Sequence, residues 1–160
     1  MAPLSLTGGE VATWRLLDGG ERPEADERVV IPLDRFAAEA DALFDTTPLV
    51  GLRLTSEQAL DAVGDALDRV ALIEIEFLAF KDGRPFSMAR RLRDQFGFDG
   101  EIRAVGDFLP DQALFLRRCG FDSVEVGTQA AAAAVKTALG LFSRSPRWVR
   151  TVQGGAYGTA

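Results

Sequence analysis

The sequence predicts an α/β fold built on a mainly parallel sheet of about five strands, and three observations carry that reading. Short β-rich runs recur at residues 29–33 (VVIPL), 49–54 (LVGLRL), 71–77 (ALIEIEF), 101–105 (EIRAV) and 122–126 (DSVEV). Each is followed by a stretch of helical periodicity. Their starts lie roughly 20–30 residues apart, the spacing of successive βα units. An open doubly wound sheet is the expected architecture. Part of a β/α barrel is the alternative, because spacing does not disclose strand order.

The helical stretches carry both faces and caps. Asp34 is the expected N-cap of the first, with Phe36, Ala40, Leu43 and Phe44 on one stripe. Thr55 and Gln58 make a capping-box pattern ahead of Leu60, Val63, Leu67 and Val70. A third stripe is Met88, Leu92 and Phe96. Pro110 suits the first turn of a fourth helix, which Gly120 can close in the left-handed conformation. Thr128 can cap an Ala-rich fifth helix containing Ala131, Val135, Ala138 and Phe142. All these apolar positions are expected in the core.

The flanks differ. Residues 1–28 include GGE and DGGERPEADE and read as a loop-rich segment, residues 29–142 as a single α/β domain, and residues 143–160 as an irregular tail without sustained period. At 160 residues the chain is long enough to fold on one hydrophobic core without metal or disulfide support.

Composition removes several classes of chemistry. With no histidine, a Ser-His-Asp triad, a His-ligated zinc or a haem on a proximal His cannot form within one chain. Cys119 is the only cysteine, so neither an internal disulfide nor a self-contained iron–sulfur cluster is possible. No metal site is expected. Any redox centre would be an organic cofactor such as a flavin, or would belong to a partner. A net charge of −6 argues against nucleic acid and anionic lipid as partners, although 16 of the 18 basic residues are Arg and local clusters suit small anions. No apolar stretch approaches the ~20 residues of a membrane span, and the start lacks a basic segment followed by a long apolar one. The expected location is the cytoplasm.

Candidate functional residues gather at the carboxyl ends of the runs, where open α/β sheets bind ligands. In ALIEIEF, Glu74 and Glu76 share one face and Ile73, Ile75 and Phe77 the other. The two carboxylates lie on a solvated face, pair with structural arginines, or, for Glu76, face the ligand crevice. In KDGRPFSMARRLR, residues 81–93, the turn Asp82-Gly83 leads into a helix with Pro85 in its first turn. Arg84 and Ser87 stand where free backbone N–H groups and the helix dipole attract an oxyanion. Arg103 lies within the fourth run, and Gly106-Asp107 just beyond its end. The anion-binding set is thus Arg84, Ser87 and Arg103, with Glu76, Asp82 and Asp107 as candidate proton-handling groups. Cys119 is expected to be a packing thiol. In the tail, Arg147, Trp148 and Arg150 are residue types enriched at interface hot spots and suit partner docking.

The run FLAFKDGRPFSMARRLRDQFGFDGEIRAVGDFLPDQALFLRRCGFDSVEV resembles the core of a bacterial domain-of-unknown-function family described as oxidoreductases of sulfite reduction. The similarity covers about residues 29–126 and is strongest from Phe77 onward. Asp82, Gly83, Arg84, Ser87, Gly106, Asp107, Arg118, Cys119 and Gly120 are among the residues that carry it. In two places the chain departs from the family pattern: Pro85-Phe86 replaces Gly-Tyr, and Ala79 replaces a common Lys. The resemblance implies genes beside sulfite reductase and a place in sulfur assimilation, with sulfite reductase or another enzyme of that pathway as partner. It implies no mechanism. Three expectations follow: an accessory or coupling protein of assimilatory sulfite reduction without its own metal or iron–sulfur centre; a small oxyanion- or phosphate-binding enzyme; or a structural interaction domain.

Overall fold

The computed structural model describes residues 1–143 of the chain. Its strands are β1 (Ala2–Ser5), β2 (Arg15–Leu16), β3 (Val29–Pro32), β4 (Val50–Thr55), β5 (Leu72–Phe77), β6 (Glu101–Gly106) and β7 (Ser123–Val126). The α-helices are α1 (Leu33–Thr46), α2 (Arg84–Asp94), α3 (Ala113–Cys119) and α4 (Gln129–Ser143). Two 3-10 helices, Leu60–Ala66 and Pro110–Gln112, complete the elements. Among the described residues no helix is long and apolar enough to cross a membrane.

All five expected runs form strands. Two more come from the segment expected to be loops, so the sheet has seven strands in the order β1-β7-β6-β5-β4-β3-β2. Both escaped the sequence pattern for physical reasons. β1 is four residues long and carries Pro3, which an edge strand tolerates because its missing N–H can face away from the ladder. β2 is only two residues, too short to alternate.

From β2 to β7 the spatial order follows the chain, and every neighbouring pair is parallel. A doubly wound sheet needs a reversal of strand order at a switch point. None occurs here, so that expectation is corrected: right-handed crossovers in one sense put the helices on one side, and the sheet curls into a half-barrel. β1 closes the far edge antiparallel to β7, which makes the sheet mixed.

The two faces have opposite characters. Ile31, Leu52, Leu54, Ile73, Ile75, Phe77, Ile102, Ala104 and Val124 fall on the helix-covered face and are buried. They pack with Phe36 and Leu43 of α1, Met88, Ala89 and Leu92 of α2, Leu116 and Cys119 of α3, and Val135 of α4. On the concave face, register aligns Pro32, Arg53, Glu74, Arg103, Ser123 and Ser5 in one row across six strands.

Because β1 and β2 form opposite edges, the connection between them must cross the sheet. The way from one edge to the other is six inter-strand steps, about 29 Å along the curve, and the ten residue steps from Ser5 to Arg15 reach at most about 36 Å. The curl shortens the chord, and the segment passes over the polar face: the Arg103 guanidinium donates to the Ala12 carbonyl at 2.8 Å.

Most local signals held, but Pro110 opens a separate 3-10 helix ahead of α3, and Phe96 of the third stripe lies beyond the end of α2. Gly120 closes α3 at φ 106°, and Thr128 Oγ1 accepts the Ala131 N–H at 3.0 Å. Pro32, not Asp34, precedes α1, and no side chain caps that helix. Gln58 Oε1 accepts the Thr55 N–H at 2.9 Å as expected, yet the following helix is 3-10. Buried Leu60, Val63 and Ala66 recur every three residues, which suits that tighter helix, and Gly64 weakens an α-helical alternative. The side chain of Phe142 and residues 144–160 lie outside those described, whereas Ser143 ends α4.

The end of β6 depends on one backbone conformation. Gly106 has φ 88°, and a Cβ there would meet the Phe77 carbonyl oxygen at 2.5 Å. Gly106→Ala is therefore expected to destabilise the fold by about 2 kcal/mol or more, since the left-handed backbone alone costs a non-glycine residue about 1–2 kcal/mol. Urea unfolding followed by far-UV circular dichroism checks this; an unchanged midpoint would refute it.

Candidate functional site

The concave row is an ion-pair network. Arg53 reaches Glu74 Oε2 through Nε at 2.8 Å and through a terminal nitrogen at 2.6 Å. Arg103, only 1% exposed, lies 3.9 Å from Glu74 Oε1. Its Nε donates to Glu101 and Ser123, each at 3.1 Å, and a terminal nitrogen donates to Glu101 at 2.8 Å. The Ser123 hydroxyl in turn donates to Glu101 at 2.5 Å. Burial pushes the Glu74 carboxyl up from its ordinary value against the opposing pull of Arg53 and Arg103.

At the carboxyl ends of the strands, Asp82 organises the loop between β5 and α2. It accepts from Arg84 Nε and a terminal guanidinium nitrogen at 2.9 Å each, from the Arg84 N–H at 3.0 Å, and from the Ser56 hydroxyl at 2.6 Å. The Arg84 side chain, the Ser56 hydroxyl and the Arg84 N–H hold the Asp82 carboxyl well below the usual range, so it is ionised at neutral pH. A cavity of about 610 Å³ opens here, lined by Ser56, Gln58, Gly83, Arg84, Ser87 and Arg91.

On the outer surface, a smaller cavity of about 260 Å³ lies between α2 and α3, against Phe86, Ser87, Arg90, Arg91, Phe115 and Cys119. An Arg90 terminal nitrogen stands 3.8 Å from the Cys119 sulfur. Burial nevertheless raises the thiol's pKa, since Cys119 is 3% exposed and the Arg90 charge only partly offsets its desolvation.

The sequence-derived site residues therefore separate into three places. Arg84, Ser87 and Asp82 come together at the start of α2, but Arg84 is neutralised by Asp82. Arg103 lies on the concave face, its donors occupied by Glu101, Ser123 and Ala12. Glu76 sits partly buried at the end of β5, its Cγ 3.3 Å from the Cβ position of Gly106, with Asp107 exposed one residue on. Among the described residues, no side-chain partner is recorded for either Glu76 or Asp107. Arg147, Trp148 and Arg150 lie outside the described residues. Sequence reasoning missed Arg53, Glu101 and Ser123. The available signal was their alternation with apolar residues in LRL, EIR and SVEV, which places each on the polar face of its strand.

Arg93, in the last turn of α2, is a staple. It donates to the carbonyls of Phe98, Gly100 and Gly120 and to Asp122 at 2.6 Å, tying α2 to the loops before β6 and after α3.

The direction of the Glu74 shift has a consequence for stability. With its folded pKa above the unfolded value, the native state holds this proton more tightly, so the contribution of Glu74 to stability is full below the ordinary carboxylate pKa and is lost as pH rises through the raised one. Wild type should thus lose stability relative to Glu74→Gln as pH rises from about 4.5, the ordinary Glu range, toward neutrality. Urea midpoints of both proteins across that interval check the sign; parallel pH profiles would refute it.

Among the described residues no group of three or more Cys, Asp or Glu side chains could hold a metal ion. Comparison with curated proteins finds no match. A family model, by contrast, matches residues 51–148, from the second strand of the half-barrel's core through the concave network, the Asp82 loop and the α2–α3 surface to beyond α4. Since that match covers more than half of the chain, the protein belongs to the family described as bacterial protein of unknown function, DUF934.

Proposed function

We propose that this protein is a non-catalytic accessory or coupling component of assimilatory sulfite reduction, acting in the cytoplasm beside sulfite reductase or another enzyme of sulfur assimilation. The observation that carries the accessory role is the mutual pairing of the charged groups: Arg53, Glu74, Arg103 and Glu101 satisfy one another on the concave face, as Asp82 and Arg84 do at the strand ends. Such pairing fixes the strand register of a scaffold and commits these groups to one another rather than to a substrate. Large apolar side chains meanwhile stay exposed in the loops after β5 and β6 and on α3, namely Leu78, Phe80, Leu109 and Phe115. Exposed apolar groups gathered along one rim suit contact with another protein. The pathway itself rests on the resemblance of the run from Phe77 to Val126.

A second reading, a small oxyanion- or phosphate-binding enzyme, is favoured by the cavity of about 610 Å³ at the start of α2. There Arg84 and Ser87 would hold the anion, whereas Glu76 and Asp107 are not in the cavity's lining. Arg103 has no part in it, being committed to the concave network.

Deletion of the gene is expected to slow growth on sulfate or sulfite while leaving growth on cysteine normal. Equal growth on all three sources, in a strain without a second copy, would overturn the sulfur assignment. For the second reading, calorimetric titration of wild type with sulfite and with phosphate should show binding that Arg84→Ala weakens more than tenfold, the loss of one charge-assisted hydrogen bond being worth roughly 1.5–3 kcal/mol. Absence of binding heat from wild type would dispose of that reading.

A further inference from the structure

The cavity between α2 and α3 combines an aromatic floor with a cationic wall. The Phe86 and Phe115 rings stand 4.7 Å apart between centroids, Phe86 buried and Phe115 49% exposed. Arg90 and Arg91 line the same cavity, and among the described residues neither has a carboxylate partner: Arg90 meets the Cys119 sulfur, and Arg91 donates to Gln95 at 3.0 Å. Asp94 is the one carboxylate in the lining, at the last turn of α2. The neighbouring Arg84 and Arg93, in contrast, both have carboxylate partners, in Asp82 and Asp122.

Size and charge select the occupant. A volume of about 260 Å³ falls below the ~300–1,000 Å³ of small-molecule pockets and matches a single large side chain. Two guanidinium groups favour carboxylates beside that side chain. The chain's own residues 144–160 carry three Arg and no Asp or Glu, so charge argues against them as the occupant. Screening over about 8 Å at physiological salt lets the local arginines govern contact despite the acidic body of the molecule.

We propose that the α2–α3 groove is a docking site for an acidic segment of a partner protein, which seats one aromatic or large aliphatic side chain between Phe86 and Phe115 and places flanking carboxylates on Arg90 and Arg91. This deepens the accessory reading, on which it rests, by naming the surface and the chemistry of the partner. The carboxylates lie toward Arg90 and Arg91 and away from Asp94, which orients the bound segment along the groove. Phe115 and Arg91 supply recognition while contributing little to the core, and Cys119 remains a buried wall.

The test is an NMR titration of the full-length ¹⁵N-labelled protein with the blocked peptide Asp-Glu-Phe-Glu-Asp. Controls replace the Phe with Ala, or all four acids with Lys. The expected result is saturable shifts confined to α2 and α3 amides, with affinity at least tenfold weaker for both control peptides and for the Arg91→Glu and Phe115→Ser variants. Both variants change exposed side chains, and unchanged spectra elsewhere would verify that they fold. No binding, shifts away from α2 and α3, or equal affinity for the Lys peptide would overturn the proposal. The pathway is tested separately: an Arg91→Glu strain growing normally on sulfate where the deletion strain does not would refute the groove and leave the accessory reading standing.

Discussion

Arg103 carries its charge into the interior of the concave face, and much of the half-barrel's arrangement follows from satisfying it. Removing such a group from water costs several kcal/mol, which attraction and hydrogen bonds repay only with good geometry. Here Glu74 comes from β5, Glu101 from β6 itself, Ser123 from β7 and a carbonyl from Ala12 in the crossing segment. One side chain thus requires three adjacent strands and the N-terminal connection to be in place together. The network also specifies register. A one-residue slip of β6 would turn Arg103 into the helix-covered face and bring Ile102 and Ala104 onto the polar one.

This constraint explains why the polar face resembles a binding site in sequence and behaves as a structural layer in space. A strand alternating charged and apolar residues implies a solvated or functional face. Once the chain is wound in one sense, with its helices on one side, the other face of the sheet is left for the first fifteen residues to cross. The charges then answer one another. Asp82 acts on a smaller scale in the same way, joining the Ser56 hydroxyl of one βα loop to Arg84 of the next. On the accessory reading proposed above, recognition falls to the outer groove of α2 and α3 and to the apolar loops beside it.

The two sheet edges are managed differently. β1 covers β7 with an antiparallel pairing of four residues, and β2 covers β3 with only two. Edge strands this short offer little template for pairing with another chain. The N-terminal segment thus supplies both edge strands and the bond to Arg103, three contributions from a stretch whose glycines and charges read as loop.

Residue spacing along the chain determined much that is local: the five βα units, the apolar faces of the helices, the Gly120 close of α3, the Thr128 cap and the Gln58 contact with Thr55. Each depends on residues within a few positions of one another. The choice for Glu74 between a solvated face and pairing with structural arginines stayed open in the sequence, and Arg53 was not read as that partner at all. Only the tertiary structure decided it, as it decided the half-barrel over the doubly wound sheet, because both turn on which strands become neighbours. Arg53 and Glu74 are 21 positions apart, and Arg103 and Ala12 are 91. Local periodicity records which face a residue occupies, but a charge is satisfied by whatever the fold brings opposite it.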